Sequence, residues 1–148
     1  MKRFIISFFL LTFLAISVFA QSLGPWKVKV KWQVTSSSTC QFQDLVHDRF
    51  LVTITIIDEA NDVTVVNNKS QIEPNDATSS IIDVQQELEA HCNDTSLANV
   101  PVYKIYTAVR MVNIQSQFVY CMEKDPGTLT NCQEMSTNGK EIPQIWFD

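Results

Sequence analysis

The chain has 148 residues, of which 45% are hydrophobic and 18% are charged, and its formal net charge at pH 7 is −5. This length suits one domain of ordinary size with a hydrophobic core of its own. An acidic chain repels nucleic acid and anionic lipid through its overall electrostatic field, so the composition argues against both as partners.

The first twenty residues have the layout of a secretory signal peptide. Met1-Lys2-Arg3 is a short basic start, residues 4–19 form an apolar run, and Val18-Phe19-Ala20 places small or modest side chains before a cut at Gln21. The apolar run is shorter than the about 20 residues that a membrane-spanning helix needs. The sequence therefore favours a cleaved leader over an uncleaved membrane anchor.

Cleavage would divide the chain into a leader, residues 1–20, and a mature segment, residues 21–148. The leader contains Lys2 and Arg3, so the mature segment keeps nine basic against sixteen acidic side chains and a net charge near −7. No later apolar stretch approaches the length of a membrane span. We therefore predict a single secreted, extracellular, β-rich domain without a transmembrane anchor after cleavage.

Four cysteines stand in the mature segment: Cys40, Cys92, Cys121 and Cys132. An even number of cysteines in an oxidising compartment predicts two disulfides. The Asp125-Pro126-Gly127 segment is a strong turn signal between the last two cysteines, and a turn there would bring their side chains together. This favours the pair Cys121–Cys132 and, by elimination, the pair Cys40–Cys92.

Two N-glycosylation sequons occur, Asn68-Lys69-Ser70 and Asn93-Asp94-Thr95. In a secreted chain each sequon predicts a glycan on a surface loop. Asn93 adjoins Cys92, and a disulfide that forms early can block access to that sequon. The sequence therefore predicts glycosylation at Asn68 and Asn93, with Asn68 as the more accessible position.

The first half of the mature segment predicts strands. Residues 26–34 alternate without error between apolar and polar side chains, which indicates a strand with one buried face. Residues 49–57 are rich in β-branched side chains, and residues 63–66 return the chain as a hairpin after the acidic turn 58–62. The polar stretch 67–80, which contains Pro74, predicts a long surface loop.

The second half is less uniform. Residues 81–92 fit both periods, and good helix formers favour a short helix over residues 81–91, with a strand as the alternative. Residues 100–112 and 118–122 predict an antiparallel pair, and residues 142–147 predict a short last strand. The fold class is therefore mainly β: an antiparallel β-sandwich-like domain or open barrel of six to seven strands, with one short helix and two disulfides.

The strand over residues 26–34 supplies the candidate ligand contacts. Trp26 and Trp32 lie on one face, and Lys27, Lys29 and Lys31 lie on the other. The lysine row could meet a polyanion, but a solvated face or a guard against strand pairing is the favoured interpretation. The tryptophans share their face with valines, which favours a place in the core. Alternatively they surround an apolar cavity that carries a small ligand.

The sequence contains no catalytic motif. A nucleophile elbow is absent, and three glycines in the whole chain are too few for a phosphate-binding loop. The two histidines, His47 and His91, read as surface residues, and no zinc-ligand spacing occurs. The acidic turn 58–62 holds oxygen ligands of the kind that calcium takes, but an ordinary hairpin turn is favoured. We predict no catalytic residue, no metal and no cofactor.

These observations favour a secreted, non-enzymatic binding domain, stabilised by disulfides, whose partner is an extracellular protein or glycan. The first alternative is an extracellular carrier of a small apolar, lipid-like ligand. The second alternative is a secreted enzyme or an enzyme inhibitor. Nothing in the sequence identifies the ligand.

Overall fold

The computed structural model describes residues 23–148, so the predicted leader, residues 1–20, lies outside the described residues. Within residues 23–148, eight strands and two short helices follow one another. In order they are β1 (Lys27–Val34), β2 (Asp48–Asp58), β3 (Val63–Glu73), β4 (Ser79–Asp83), α1 (Gln85–Cys92), β5 (Val102–Asn113), β6 (Val119–Asn131), α2 (Cys132–Thr137), β7 (Lys140–Glu141) and β8 (Ile145–Phe147).

The strands form two four-stranded sheets that enclose one core. The first sheet has β1 at its centre, with β4 antiparallel on one side and the short strands β7 and β8 on the other. The second sheet has the order β3-β2-β5-β6 and is antiparallel throughout. The prediction of a mainly β, sandwich-like fold is confirmed. The described residues contain eight strands in place of the expected six to seven and two short helices in place of one, and β7 and β8 pair parallel to β1.

Alternation of side chains along the strands builds the core. On β1, Val28, Val30 and Trp32 are fully buried, and the lysines between them face outward. The Trp32 ring lies 5.0 Å from the Phe50 ring on β2, so the two sheets touch through aromatic side chains. The prediction that Trp26 and Trp32 belong to the core is confirmed, because they are 8% and 1% exposed.

The predicted long loop over residues 67–80 is wrong. Strand β3 continues to Glu73, and β4 begins at Ser79, so the connection between the sheets is only residues 74–78. The polar side chains of β3 misled the prediction because β3 is an edge strand whose outer face meets water. A strand of this kind carries few of the apolar residues that mark a buried one.

The segment over residues 81–92 contains both of the structures that the sequence left open. Ile82 pairs with Val28 as part of β4, which ends at Asp83. The Asp83 carboxylate then accepts a hydrogen bond from the backbone N–H of Gln85, where α1 begins. The predicted short helix is therefore present, but it starts four residues later than expected and ends at Cys92.

The predicted disulfide pairing is wrong. The bonds join Cys40 to Cys121 and Cys92 to Cys132. The Asp125-Pro126-Gly127 segment does not turn the chain; it is an irregularity inside β6, where the register against β5 shifts. An extended strand separates Cys121 from Cys132 by roughly 35 Å, at about 3.3 Å per residue, so these two cysteines cannot meet.

The buried Asp125 explains why the local turn signal does not reverse the chain. Its carboxylate accepts hydrogen bonds from the backbone N–H of Gly127 and from the hydroxyl of Thr128. This closes a local turn within the strand, which forms a β-bulge, and the pairing with β5 resumes at Thr128. No helix among residues 23–148 is long and apolar enough to cross a membrane.

The observed disulfides predict a specific peptide map. Non-reducing proteolysis and mass spectrometry should yield one peptide pair containing Cys40 and Cys121 and another containing Cys92 and Cys132. Replacing both cysteines of either bond by alanine should lower the free energy of unfolding by about 4 kcal/mol, and by slightly more for the 40–121 bond, because it closes the longer loop. A map that joins Cys121 to Cys132 would contradict the fold.

Candidate functional site

Strand β2 begins and ends with an aspartate whose side chain is shielded from water. Asp48 and Asp58 are both 0% exposed, although both are charged at neutral pH. A buried carboxylate is stable only where hydrogen-bond donors surround it. The donors around these two aspartates come from the loops, strand ends and helix at the two ends of the sandwich.

Four donors converge on Asp48. The backbone N–H groups of Gln43 and Asp44 donate to Oδ2 at 2.8 and 2.6 Å. The side-chain amide of Asn113 and the hydroxyl of Tyr120 donate to Oδ1 at 2.8 and 3.0 Å. One carboxylate therefore joins the loop before β2 to the ends of β5 and β6.

These contacts also set the charge state of Asp48. Burial by itself would raise the pKa of this carboxyl, since it disfavours the ionised form. The hydrogen bonds from Asp44, Asn113, Gln43 and Tyr120 stabilise the ionised form by more, so the pKa lies below its ordinary value. Asp48 is thus an anion held within the protein at neutral pH.

Further bonds fix the hairpin tip between β5 and β6. The side-chain oxygen of Asn113 accepts from the backbone N–H groups of Gln115 and Ser116. The backbone N–H of Ile114 donates to the carbonyl of His47 at 2.9 Å, which ties the tip to the loop before β2. The Cys40–Cys121 disulfide links the start of that loop to β6.

The two loops held in this way, together with the first residue of β6, present an exposed apolar surface, which we call the apolar loop end. Its members are between 46% and 71% exposed, and they are Leu45, Val46, Ile114, Phe118 and Val119. The Phe118 ring packs edge-on against Tyr120, with 5.1 Å between centroids, and Tyr120 bonds to Asp48. Exposed apolar side chains on loops fixed by a rigid scaffold are typical of a binding surface.

The charges near the apolar loop end are mainly negative. The three loops at this end, residues 35–47, 74–78 and 114–118, contain no lysine or arginine. Asp44 lies in the first of these loops and Asp76 in the second, and His47 lies 2.7 Å from the Asp44 carboxylate. The hydrogen bond from His47 lowers the pKa of Asp44 below its ordinary value.

The opposite end of the sandwich is organised by Asp58. Its carboxylate accepts from the backbone N–H groups of Ala60 and Val102 and from the side-chain amide of Asn61. Nε2 of His91, on α1, lies 3.0 Å from Oδ2. Burial would raise the pKa of Asp58, but these hydrogen bonds, from His91 foremost, lower it below the ordinary value.

Tyr103 lies beside this pair and beside the second disulfide. Its hydroxyl is 3.1 Å from the sulfur of Cys92 and 3.4 Å from that of Cys132. Burial, followed by the charge of Asp58, raises the pKa of the Tyr103 hydroxyl. An imidazole and a carboxylate can share a proton, but here their neighbours are a tyrosine held neutral and two oxidised sulfurs.

The carboxylate of Asp58, the first candidate calcium ligand in the acidic turn 58–62, points inward. Asp58 uses its carboxylate on the donors of the turn, and Asn61 donates to the carbonyl of Asn99 on the facing loop. Both contacts fit the favoured hairpin interpretation. Within residues 23–148 no cluster of three or more histidine, cysteine, aspartate or glutamate side chains has the geometry to hold a metal ion.

The candidate contacts on β1 do not form a site with the apolar loop end. Lys27, Lys29 and Lys31 point outward from β1, in the first sheet. Lys29 and Lys31 pair with Glu141 on β7. Asn68 and Asn93 are both exposed. Asn93 follows α1 as predicted, whereas Asn68 lies within β3 and not in a loop.

Sequence reasoning missed the apolar loop end and both buried aspartates. The available signal was weak: Leu45-Val46 is an apolar pair in a stretch without period, between Asp44 and His47. Phe118 is over seventy positions away and was assigned to the start of the predicted strand over residues 118–122. Comparison of the chain with protein-family models, with curated proteins and with solved structures found no match, so the geometry of the site carries the functional argument.

Asp48→Asn should lower the free energy of unfolding at pH 7 by about 2 kcal/mol, because an amide nitrogen replaces an acceptor oxygen and the charged hydrogen bonds are lost. Asp76→Asn, on a neighbouring exposed loop, is the matched control and should change it little. Urea unfolding followed by tryptophan fluorescence measures both differences.

The same pair of variants tests the pH dependence. The pKa of Asp48 is lower in the folded state, so the unfolded chain binds its proton more readily. The stabilisation is therefore complete above the unfolded pKa of about 3.9 and is lost as the pH falls through the folded pKa. The difference between Asp48→Asn and the unmodified chain should shrink below about pH 4; a constant difference would contradict the role given to this carboxylate.

Proposed function

We propose that the chain is a secreted, disulfide-stabilised binding module that recognises an extracellular protein through its apolar loop end. The observation that carries this proposal is the exposure of five apolar side chains, on two loops and at the first residue of β6, that a buried aspartate holds in place. A soluble domain gains nothing in stability from exposing Phe118 and Leu45 at loop tips. Burial against a partner would remove this apolar area from water.

The charge pattern supports a protein partner over a membrane. Loops that enter anionic bilayers are normally accompanied by lysine or arginine, which attract the lipid headgroups. The loops at this end have none of these residues and carry Asp44 and Asp76. A glycan is less suited, because four of the five exposed side chains are aliphatic and Phe118 is the single aromatic ring for a sugar to stack on.

The fixed geometry of the loops supports tight recognition. Ordering a flexible loop on binding costs conformational entropy, and a loop that is already ordered avoids much of that cost. Here Asp48, Asn113 and the Cys40–Cys121 bond hold the backbone on both sides of the exposed side chains. The scaffold therefore behaves like a rigid support for a small contact surface.

Secretion and glycosylation belong to the same proposal. Two disulfides fit an oxidising compartment, and the pattern of residues 1–20 fits a cleaved leader. Asn68 and Asn93 both stand at exposed positions, where an N-glycan has room. Neither position lies in the apolar loop end, so glycans there would leave it accessible.

The packing between the sheets supports a surface binder over a carrier of a small apolar ligand. Trp32, Phe50 and Phe147 contact one another across the interior, with ring centroids 5.0 and 6.2 Å apart. Phe42 packs edge-on against the same Phe50 ring. Aromatic side chains thus occupy the region where a carrier would hold its ligand.

The loop variant, which combines Val46→Ser with Phe118→Ser, tests the proposal. The control variant combines Ile72→Ser with Leu129→Ser and removes similarly exposed apolar side chains from a sheet face. Tagged proteins are incubated with medium conditioned by the source cells, and captured proteins are quantified by mass spectrometry. A captured protein is then purified, and its Kd is measured by calorimetry. The loop variant should raise that Kd by about 30-fold, and the control by less than about threefold.

Two results would contradict the proposal. The first is a captured protein that binds the loop variant and the unmodified chain equally. The second is a loop variant that loses binding to phosphatidylcholine vesicles instead, which would assign the surface to lipid. The control variant should unfold like the unmodified chain, because Ile72 and Leu129 are exposed. The loop variant should lose about 1 kcal/mol of unfolding free energy at most, which is the typical worth of an aromatic pair such as Phe118–Tyr120.

A further inference from the structure

Both edge strands of the β3-β2-β5-β6 sheet bulge at the same rung. Thr55 on β2 faces Tyr106 on β5. On one side, the register shift between Ile54 and Ile56 leaves Asn67 and Asn68 opposite Thr55. On the other side, the shift between Ile105 and Thr107 leaves Pro126 and Gly127 opposite Tyr106.

The first bulge directs Asn68 over the outer face of the sheet. Asn68 has a φ of 50°, in the left-handed region that asparagine adopts more readily than most residues. The hydroxyl of Thr55 donates to the side-chain oxygen of Asn68 at 3.3 Å, and the backbone N–H of Asn68 donates back to that hydroxyl. The side-chain amide, to which an N-glycan would be attached, therefore lies above Thr55.

A cleft begins at Asn68 and crosses the sheet face. It has a volume of about 260 Å³, and its lining includes Thr53, Thr55, Tyr106, Arg110, Lys124 and Asp125. A volume of this size equals that of roughly nine water molecules at about 30 Å³ each, which is enough for a sugar ring. The cleft includes Thr55 and Tyr106 of this rung and extends to Thr53 and Arg110.

The lining has the chemistry that a sugar needs. Tyr106 lines the cleft, and a face of its ring would pack against a pyranose. Lys104 does not line the cleft; its ammonium lies over one face of the Tyr106 ring, 5.3 Å from the centroid, and leaves the other face for the sugar. Arg110 donates to Thr53 at 3.1 Å, which leaves its other N–H groups near the hydroxyls of a sugar. Pockets for small ligands combine flat apolar surface with a few polar groups in this way.

The second sequon has a different setting. Asn93 ends α1 and adjoins Cys92, whose sulfur is bonded to Cys132. A cleft of about 570 Å³ is present there too, but its lining comes from the loop over residues 93–101 and from the Cys92–Cys132 disulfide and includes no aromatic ring. A glycan at Asn93 would meet no stacking surface in that cleft.

We propose that the N-glycan on Asn68 lies down in this sheet-face cleft, with its first N-acetylglucosamine against Tyr106. The inference rests on the secretion that forms part of the proposed function, because the glycan is attached on the secretory route. The cleft is thus a binding site for the chain's own N-glycan. The glycan covers the outer face of the sheet and leaves the apolar loop end free.

The full chain is expressed in glycosylating cells with its own leader. In parallel, it is expressed with a well-characterised leader that replaces its own. An Asn93→Gln background confines glycosylation to Asn68, and peptide mapping measures its occupancy. The folded protein is then treated with an amidase that removes N-glycans, and release is timed by intact mass. Tyr106→Ser removes the ring, and Tyr106→Phe keeps it as the matched control.

Occupied Asn68 with slow release is the expected result. Tyr106→Ser should release its glycan about tenfold faster and Tyr106→Phe at the original rate, a change that corresponds to about 1.4 kcal/mol. If Tyr106→Ser fails to fold, nuclear Overhauser effects between the sugar and the Tyr106 ring of the unmodified protein serve instead. An empty Asn68, equal release rates, or no such effects would overturn the inference.

These failures are separate from a failure of the proposed function. Export only with the substituted leader would contradict secretion by the chain's own leader, and the Asn68 glycan would still report on the cleft. Loss of partner binding in the loop variant does not depend on Tyr106 or Asn68. A chain that binds its partner but carries no glycan at Asn68 would overturn the inference about the cleft and leave the proposed binding function standing.

Discussion

Asp48 and Asp58, the buried aspartates at the two ends of β2, set the condition that the loops of this protein have to meet. A charge without water around it is stable only if neighbouring groups replace every lost hydrogen bond. Asp48 obtains its donors from the loop before β2, from Asn113 and from Tyr120, while Asp58 obtains them from the next turn, from Val102 and from His91. Each end of the sandwich is therefore shaped around one anion.

The disulfides complete the same arrangement. Each bond lies at one end of the sandwich and joins a segment that follows a strand of the first sheet to the long strand β6 or to the helix after it. Cys40–Cys121 accompanies Asp48, and Cys92–Cys132 accompanies Asp58 through Tyr103 and His91. The disulfides reduce the conformational entropy of the unfolded chain, whereas the aspartates fix the loop geometry of the folded chain. The two devices act on different states and reinforce each other.

The sequence predicts the parts of this fold that depend on local pattern. Strict alternation over residues 26–34 predicted β1 and the burial of Trp32, and β-branched residues predicted β2. It could not predict the disulfide pairing, because the turn signal at Asp125-Pro126-Gly127 is absorbed as a bulge once β5 pairs on both sides of it. The apolar loop end was hidden for a similar reason: Val46 and Phe118 become neighbours only through contacts between distant segments.

The two proposed surfaces account for part of the exposed apolar area of the protein. Ile72, Met122 and Leu129 are exposed on or beside the outer face of the second sheet, while Leu45 and Phe118 are exposed at its loop end. An exposed apolar sheet face with unpaired edge strands favours unwanted association with other chains. Bulges in both edge strands reduce this association, and a glycan seated at their common rung would reduce it further. The apolar loop end would then remain free to select a partner.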